Sequence, residues 1–472
     1  MTVSFRTLLL LAGLSVATSA CKDDDDDLPT TPREQFSLVD EGGLKVLSGS
    51  TSENVTLVAG TRYLLKGFVY VRDGATLTIE PGTVVRGDKD SKASLIIQRG
   101  AKLNAAGTAA APIVFTSSKA AGSRAPGDWG GLIVCGRASV NLPGGEGRIE
   151  GGPDATYGGG TSPNDADNSG VLQYVRIEYA GIAFQTDNEV NGLTLGGVGS
   201  ATSVDHVQVS DCGDDAFEFF GGTVNAKYLV AHRTVDDMFD TDNGYSGRVQ
   251  YCLGIAQPDR ADASRSNGFE SDNNAGGTTA IPRTTAQFAN VTLLGPGLTS
   301  GFNTNFGRGA HLRRNTAQSL FNTVFAAWPT GILLDDASGN SSLTEGALSS
   351  GAMKLQGIVI AGSPTGKALA VYGGNATATP PVAGSAYDFA ALFANAANRN
   401  LIVADVATAG IGTGAFTLTA PNLLPAAGSP LLDAAQAAAL PAGFEAAPFR
   451  GAFGATDWTA GWTNFNPQTT AY

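Results

Sequence analysis

Along most of the chain, apolar residues alternate with polar ones over short runs, and glycine breaks each run: Val55-Thr-Leu57, Tyr63-Leu-Leu65, Phe68-Val-Tyr-Val71, Thr76-Leu-Thr-Ile79, Val84-Val-Arg86 and Ser94-Leu-Ile-Ile-Gln98. A period of two predicts strands, because successive side chains of an extended chain point to opposite faces. The gaps are of turn length and leave no room for a crossover helix. Ala101-Lys-Leu-Asn104, Pro112-Ile-Val-Phe115, Gly131-Leu-Ile-Val134 and Leu172-Gln-Tyr-Val-Arg-Ile177 continue the series. The glycine-rich stretch 143–170 and the polar stretch 256–267 read as loops thrown out of it.

One phrase recurs within this text. Phe184-Gln-Thr-Asp187, Phe217-Glu-Phe-Phe220, Phe239-Asp-Thr-Asp242, Phe269-Glu-Ser-Asp272 and Phe302-Asn-Thr-Asn305 follow one another at 33, 22, 30 and 33 residues. Variable gaps around a constant phrase predict that each copy is a strand stacked on the last, with the excess looping outward. Hairpin folds such as sandwiches and barrels would reverse the pattern in alternate strands. The repeats keep one direction, so the predicted fold is all-β, a parallel β-helix. The spacing of Phe389, Leu392 and Phe393 within 387–400 predicts one helix after the strands. An open stack exposes unpaired strand edges and an apolar bore, so 381–472 is assigned as a C-terminal cap containing that helix.

Composition agrees with an elongated array. A chain of 472 residues with 62 glycines is too long for one compact core. The net charge of −13, with only 15% charged residues, argues against a nucleic-acid partner, which needs clustered Lys and Arg.

The first residues carry a different message. Arg6, the apolar stretch Leu8 to Val16 and the small residues Thr18-Ser-Ala20 before Cys21 form a secretion signal over 1–20. Its apolar stretch is shorter than the about 20 residues a spanning helix needs. Small residues directly before a cysteine resemble the lipobox of bacterial lipoproteins, which implies lipidation of Cys21 and an outer-membrane anchor. Lys22 and Asp23 to Asp27 open a flexible acidic tether, 21–42, and resemble a signal for display on the cell surface. The coil is expected over 43–380. Cys135, Cys212 and Cys252 are an odd set; Cys212 and Cys252 are expected two coils, about 9 to 10 Å, apart, too far for a disulfide. Three histidines and no Cys-x-x-Cys make zinc or redox chemistry improbable.

Longer phrases carry a family resemblance. Ile79-Glu-Pro-Gly-Thr-Val-Val-Arg-Gly87, Arg124-Ala-Pro-Gly-Asp-Trp-Gly-Gly131, Gly213-Asp-Asp-Ala-Phe-Glu-Phe-Phe-Gly-Gly222 and Asp457-Trp-Thr-Ala-Gly-Trp-Thr-Asn464 resemble those of uncharacterised bacterial surface lipoproteins of the pectin-lyase-like class of right-handed parallel β-helices. The resemblance spans roughly 43–472 and implies a fold and a location rather than an activity. The hydrolase branch of that class carries a Gly-His-Gly that is missing here; His311 lies in Gly309-Ala-His-Leu-Arg-Arg314 instead.

Stacking the five phrases with each leading Phe inward places two polar columns outside. One holds Gln185, Glu218, Asp240, Glu270 and Asn303; the other holds Asp187, Phe220, Asp242, Asp272 and Asn305. Neighbours in a column lie about 4.8 Å apart. Two carboxylates at that distance repel by roughly 1 kcal/mol in water and about 3 to 4 kcal/mol at an effective dielectric near 20. Left open, the columns are a solvated wall. Covered by loops, they need a cation or shared protons. Glu218, Phe220, Asp240, Asp242, Glu270 and Asp272 are therefore the candidate ligand-binding residues, with Phe220 a stacking surface for a sugar ring. Asp165-Ala-Asp-Asn-Ser-Gly170 reproduces the first half of a calcium loop, so Asp165, Asp167 and Ser169 are candidate metal ligands, although position 12 is Arg176 instead of Glu. Asp214-Asp215 and Asp236-Asp237 are expected to accept backbone hydrogen bonds at strand corners, with a metal or catalytic role as the alternative.

The leading expectation is a lipid-anchored surface β-helix that binds cations, calcium foremost, and extracellular glycan through its acidic face without turnover. One alternative is a polysaccharide lyase or glycoside hydrolase using carboxylate pairs on adjacent coils. Another is a purely structural or adhesive surface protein.

Overall fold

The computed structural model describes residues 37–185, 188–336, 343–372 and 388–472. Cys21, the signal and the acidic leader lie outside them, as do Thr186 and Asp187.

Two long parallel sheets wind around a common apolar bore. The first runs rung by rung from Ser50–Thr51 through Phe68–Val71, Ser94–Ile97, Leu132–Cys135, Leu193–Gly196, Phe217–Phe220, Phe239–Asp242, Phe269–Ser271, Arg308–Arg313 and Thr330–Asp335 to Leu369–Tyr372. Every pairing in this sheet is parallel and in register. The second sheet changes character along the coil. In the early coils it consists of separate short strands, such as Thr76–Ile79 and Val84–Gly87, with the turn Glu80-Pro-Gly-Thr83 between them. From Gly170–Glu178 onward the two fuse into single long strands: Ser203–Ser210, Asn225–His232, Arg248–Ile255, Gln287–Leu294 and Ser319–Ala326.

A single left-handed residue bends each fused strand where the turn used to be. Tyr174, His206, Tyr228, Tyr251, Asn290 and Asn322 have φ of 48, 55, 56, 62, 55 and 49°, and Gly357 follows at 70°. Asn and Gly adopt this conformation readily, whereas Tyr and His are strained there by roughly 1–3 kcal/mol each. Stacking offsets part of that strain. Ring centroids are 4.3 Å apart for Tyr174 and His206, 4.3 Å for His206 and Tyr228, and 4.8 Å for Tyr228 and Tyr251; such pairs contribute about 0.5–1.5 kcal/mol each beyond burial.

Phe217, Phe239 and Phe269 stack inside the bore, with centroids 5.3 and 5.6 Å apart. The other two copies of the phrase are not rungs. The position before Phe217 belongs to Leu193, and the position after Phe269 to Ala310. Phe184 lies in an antiparallel hairpin, Ala183–Gln185 with Asn188–Glu189, outside the first sheet. Phe302 packs against the core from the loop that precedes Arg308–Arg313. Their Phe-x-Thr-Asx spelling matches, but Leu193-Thr-Leu-Gly196 and Ala310-His-Leu-Arg313 carry the alternation at the correct register. The cysteine spacing is also corrected. Cys252 shares a column with Leu229 and Val207, while Cys212 lies beyond the end of Ser203–Ser210; all three described thiols are free and buried.

The helix Phe389–Ala394 buries Phe389 and Phe393 in the bore cluster. A second helix, Leu343–Ser349, was not expected from the sequence. The chain after 400 does more than close an end, because it turns back and runs along the outside of the second sheet. Ala438 exchanges hydrogen bonds with Asn322, Phe449 O accepts from Asn290, Asn464 pairs with Gln208, Phe465 packs on His232, and Trp462 sits edge-on to His206 and Tyr174. At the far end Arg124 donates to Pro467 O and Thr470 O, and Tyr472 bonds Glu178.

The register makes a stability prediction. Phe239→Ala, within the stack and fully buried, is expected to cost about 3–5 kcal/mol. Phe302→Ala, outside the stack, is expected to cost less than about half of that; equal losses in thermal or denaturant unfolding would contradict the register described.

Candidate functional site

The site is built on the corner that enters each strand of the first sheet. Two residues before the inward-pointing residue stand Asn191, Asp215, Asp237, Asn267 and Arg308. Asp237 N donates to Asp215 Oδ1 at 2.8 Å, Asn267 N donates to Asp237 Oδ1, and Arg308 N donates to Asn267 Oδ1 at 3.1 Å. Asp215, Asp237 and Asn267 thus each accept the amide of the next coil, the role expected of Asp215 and Asp237. Asn267 performs it without charge. The companions Asp214 and Asp236 stand on the outer side, where Asp236 Oδ2 accepts from Ser264 Oγ at 2.8 Å.

Within the strands the expected alternation holds. Phe217, Phe239 and Phe269 point inward, Glu218, Asp240 and Glu270 form one outer column in register, and Phe220 and Asp242 begin the next. His311 follows Glu270 in the first column.

Loops cover this face. Asn191 donates to Glu218, and the Glu150 carboxyl bonds both Glu218 and Asn191. Tyr157 stacks on Phe220 with centroids 5.6 Å apart. Phe220 is therefore packed in a small apolar cluster with Val140, Ile149 and Tyr157, and offers no open face to a sugar ring. Glu218 is 5% exposed, Asp215 8% and Asp272 4%.

Burial divides the acidic columns into two electrostatically distinct parts. Toward the later coils, cations supply the balance: Arg313 pairs with Glu270 and with Asp272 at 2.8 Å, Arg314 with Asp272 at 2.7 Å, and His311 lies 3.3 Å from Glu270 and 3.0 Å from Asp335. Burial opposes ionisation of Glu270, but Arg313 and His311 outweigh it and lower its pKa. Burial likewise works against the Arg313 charge, and Glu270 and Asp272 more than compensate.

The earlier coils have no such partners. Among the described residues no Lys, Arg or His forms an ion pair with Asp214, Asp215, Glu218, Asp236, Asp237 or Asp240. Burial, then the neighbouring carboxylates, pushes Asp214, Asp215, Glu218, Asp237 and Asp240 well above the usual carboxylate range. Asp236 rises to about 7, chiefly through burial, and Asp242 to about 7 through burial and then Asp272.

These residues fit a hard cation. Carboxylate oxygens of Asp214, Asp215 and Asp236 lie within 4.8 Å of one another, as do those of Asp215, Glu218 and Asp240. Asp215 belongs to both triads. Oδ1 of Asp236 and Oδ1 of Asp240 are buried without a hydrogen-bond partner, and all-oxygen donor sets suit calcium.

The other candidate loop is held differently. Asp165 Oδ1 accepts from Ser139 N at 2.9 Å, Asp167 Oδ2 accepts from Ser169 Oγ at 3.1 Å, and Ser169 N donates to Thr202 Oγ1 at 2.8 Å. The turn is thereby stitched to its surroundings. Glu150, Asn191, His311, Arg313 and Arg314 are site residues that the sequence reading did not single out. For His311 and Arg313 the signal was present, in the alternation of Ala310-His-Leu-Arg313.

The acids raised by burial predict an inverted pH response. A carboxyl whose folded pKa is raised binds more protons folded than unfolded, so its contribution is complete below about 4 and is lost as pH rises through the folded value. With divalent cations chelated, thermal stability is expected to fall between about pH 4 and 7 as Asp236 and Asp242 ionise. A melting temperature that rises steadily across that window would contradict this.

A family model for the pectate-lyase-like β-helix domain matches residues 49–388. No curated protein and no solved structure matches the chain. The in-register parallel sheets and the matched span together place the chain in the pectate-lyase-like β-helix family.

Proposed function

We propose that the protein binds a divalent cation, calcium by its chemistry, at the two triads that share Asp215. The observation that carries this reading is the row of loop-covered carboxylates on successive coils with which, among the described residues, no Lys, Arg or His forms an ion pair. A cation removes the repulsion that otherwise has to be relieved by protonation. The cover also favours an ion over a polymer, because side chains as enclosed as Glu218 and Asp215 leave no room for a sugar ring to reach them.

Catalysis on a glycosidic bond is the second reading. It is favoured by Asp236, whose pKa near 7 suits a general acid at neutral pH. Arg313 is a poor candidate for a base, since its two carboxylate partners hold it protonated. Incubation with a panel of acidic and neutral polysaccharides separates this reading from binding alone: new reducing ends or unsaturated products would establish it.

For location, we propose a lipid anchor at Cys21 that places the β-helix on the outer membrane, displayed at the cell surface. The small residues before Cys21 and the acidic leader support this. Among the described residues no helix is long and apolar enough to cross a membrane. Mass spectrometry is expected to find the N-terminal peptide acylated at Cys21, and Cys21→Ala to move the protein out of the membrane fraction.

Calcium titration at pH 8 tests the binding. Calcium at 100 times its Kd is expected to add about 2.7 kcal/mol of stability. Asp215→Asn keeps an acceptor for Asp237 N, as Asn267 does one coil later for Arg308 N. That variant is expected to be more stable than the parent without cation and to lose most of the calcium-induced shift. No shift in the parent, together with no bound metal by elemental analysis, would overturn the proposal.

A further inference from the structure

A second site lies on the outer face of the second sheet, away from the acidic triads. Ser203 and Asp205 on one coil, Asn225 and Lys227 on the next and Arg248 on a third line a cleft of about 340 Å³, closed on one side by Phe444 of the returning chain. This is within the range of small-ligand sites, roughly 300–1,000 Å³. The strand alternation that fills the bore with apolar residues puts polar side chains here in rows about 4.8 Å apart.

The polar groups divide into those that hold the cleft together and those left facing it. Glu445 pairs with Lys227, and its backbone exchanges hydrogen bonds of 2.9 Å in both directions with the Gln250 side chain, so the returning chain is pinned across the coils. Asn225 Oδ1 accepts from Arg248 N at 3.0 Å, leaving its amide NH₂ as a donor. The Arg248 guanidinium pairs with no described carboxylate; its Nε is buried under the returning chain, so its terminal nitrogens are the donors left to the cleft. Gly443 keeps space for it: a Cβ there would come within 2.6 Å of Nε. Asp205 supplies an acceptor beside His206.

We propose that this cleft binds a short neutral saccharide, one or two rings long. Arg248 and Asn225 donate to ring hydroxyls, Asp205 accepts from them, and Phe444 offers an apolar wall to a ring face. Neutral rather than acidic sugar follows from the charge: Glu445 consumes Lys227, the Asp205 carboxylate shares the cleft with Arg248 without pairing with it, and the chain as a whole carries −13. The site is independent of the cation triads.

Isothermal titration of the full chain with neutral glucose-, galactose-, mannose- and xylose-based di- and trisaccharides, and with galacturonate oligomers as the acidic arm, tests it. At least one neutral oligosaccharide is expected to bind with Kd near 1 mM or better. Arg248→Ala is expected to weaken it at least about tenfold, the loss of one charged hydrogen-bond donor. Ser203→Trp, a substitution at an exposed position that fills the cleft, is expected to abolish binding while leaving the melting temperature and calcium response unchanged. Failure of every neutral sugar to bind at about 10 mM, binding of galacturonate alone, or neutral-sugar binding indifferent to Ser203→Trp would each overturn the proposal.

Discussion

Parallel strands stacked in register place like positions over like positions every 4.8 Å or so, and that one constraint organises the molecule. An apolar position becomes an apolar column, which is how Phe217, Phe239 and Phe269 make a continuous bore. A strained position becomes a strained column, relieved by stacking in the Tyr174, His206, Tyr228 and Tyr251 series. A charged position becomes a row of like charges, and its neutralisation has to come from outside the repeat.

The chain uses two means for that last problem. In the later coils the register itself changes sign, so that His311 and Arg313 follow Glu270 and Asp272 and the column compensates internally. In the earlier coils it keeps the acids together at Asp214, Asp215, Glu218, Asp236 and Asp240, then covers them with Glu150 from an excursion, which bonds Glu218 and the corner residue Asn191. Adding a further acid over a buried acidic row makes little sense for folding alone. It fits the cation site proposed above.

The coil was legible because its code is local: a two-residue alternation, short gaps and one direction of repeat. The middle three phrases gave the correct register for the same reason. Phe184 and Phe302 misled because their letters matched while the alternation of the neighbouring sequence, at Leu193 and Ala310, did not enter the comparison. The outer columns at Glu218, Asp240 and Glu270 were readable as a period. Their cover was not, since which loop folds over which face depends on long-range packing such as Tyr157 on Phe220. Phe220 itself was misjudged as open for that reason. The returning C-terminal chain was equally invisible, because its contacts join residues far apart in sequence, as Asn464 and Gln208 do.

That returning chain alters how the array can come apart. In a solenoid each coil touches only its neighbours, so melting can begin at either open end and spread inward. Here a single peptide is fastened at Asn322, Asn290, Gln208 and Glu178 in turn, like a spine glued across the pages of a book. Fraying the coils it crosses requires peeling that spine as well, which couples those coils to one another beyond their nearest neighbours.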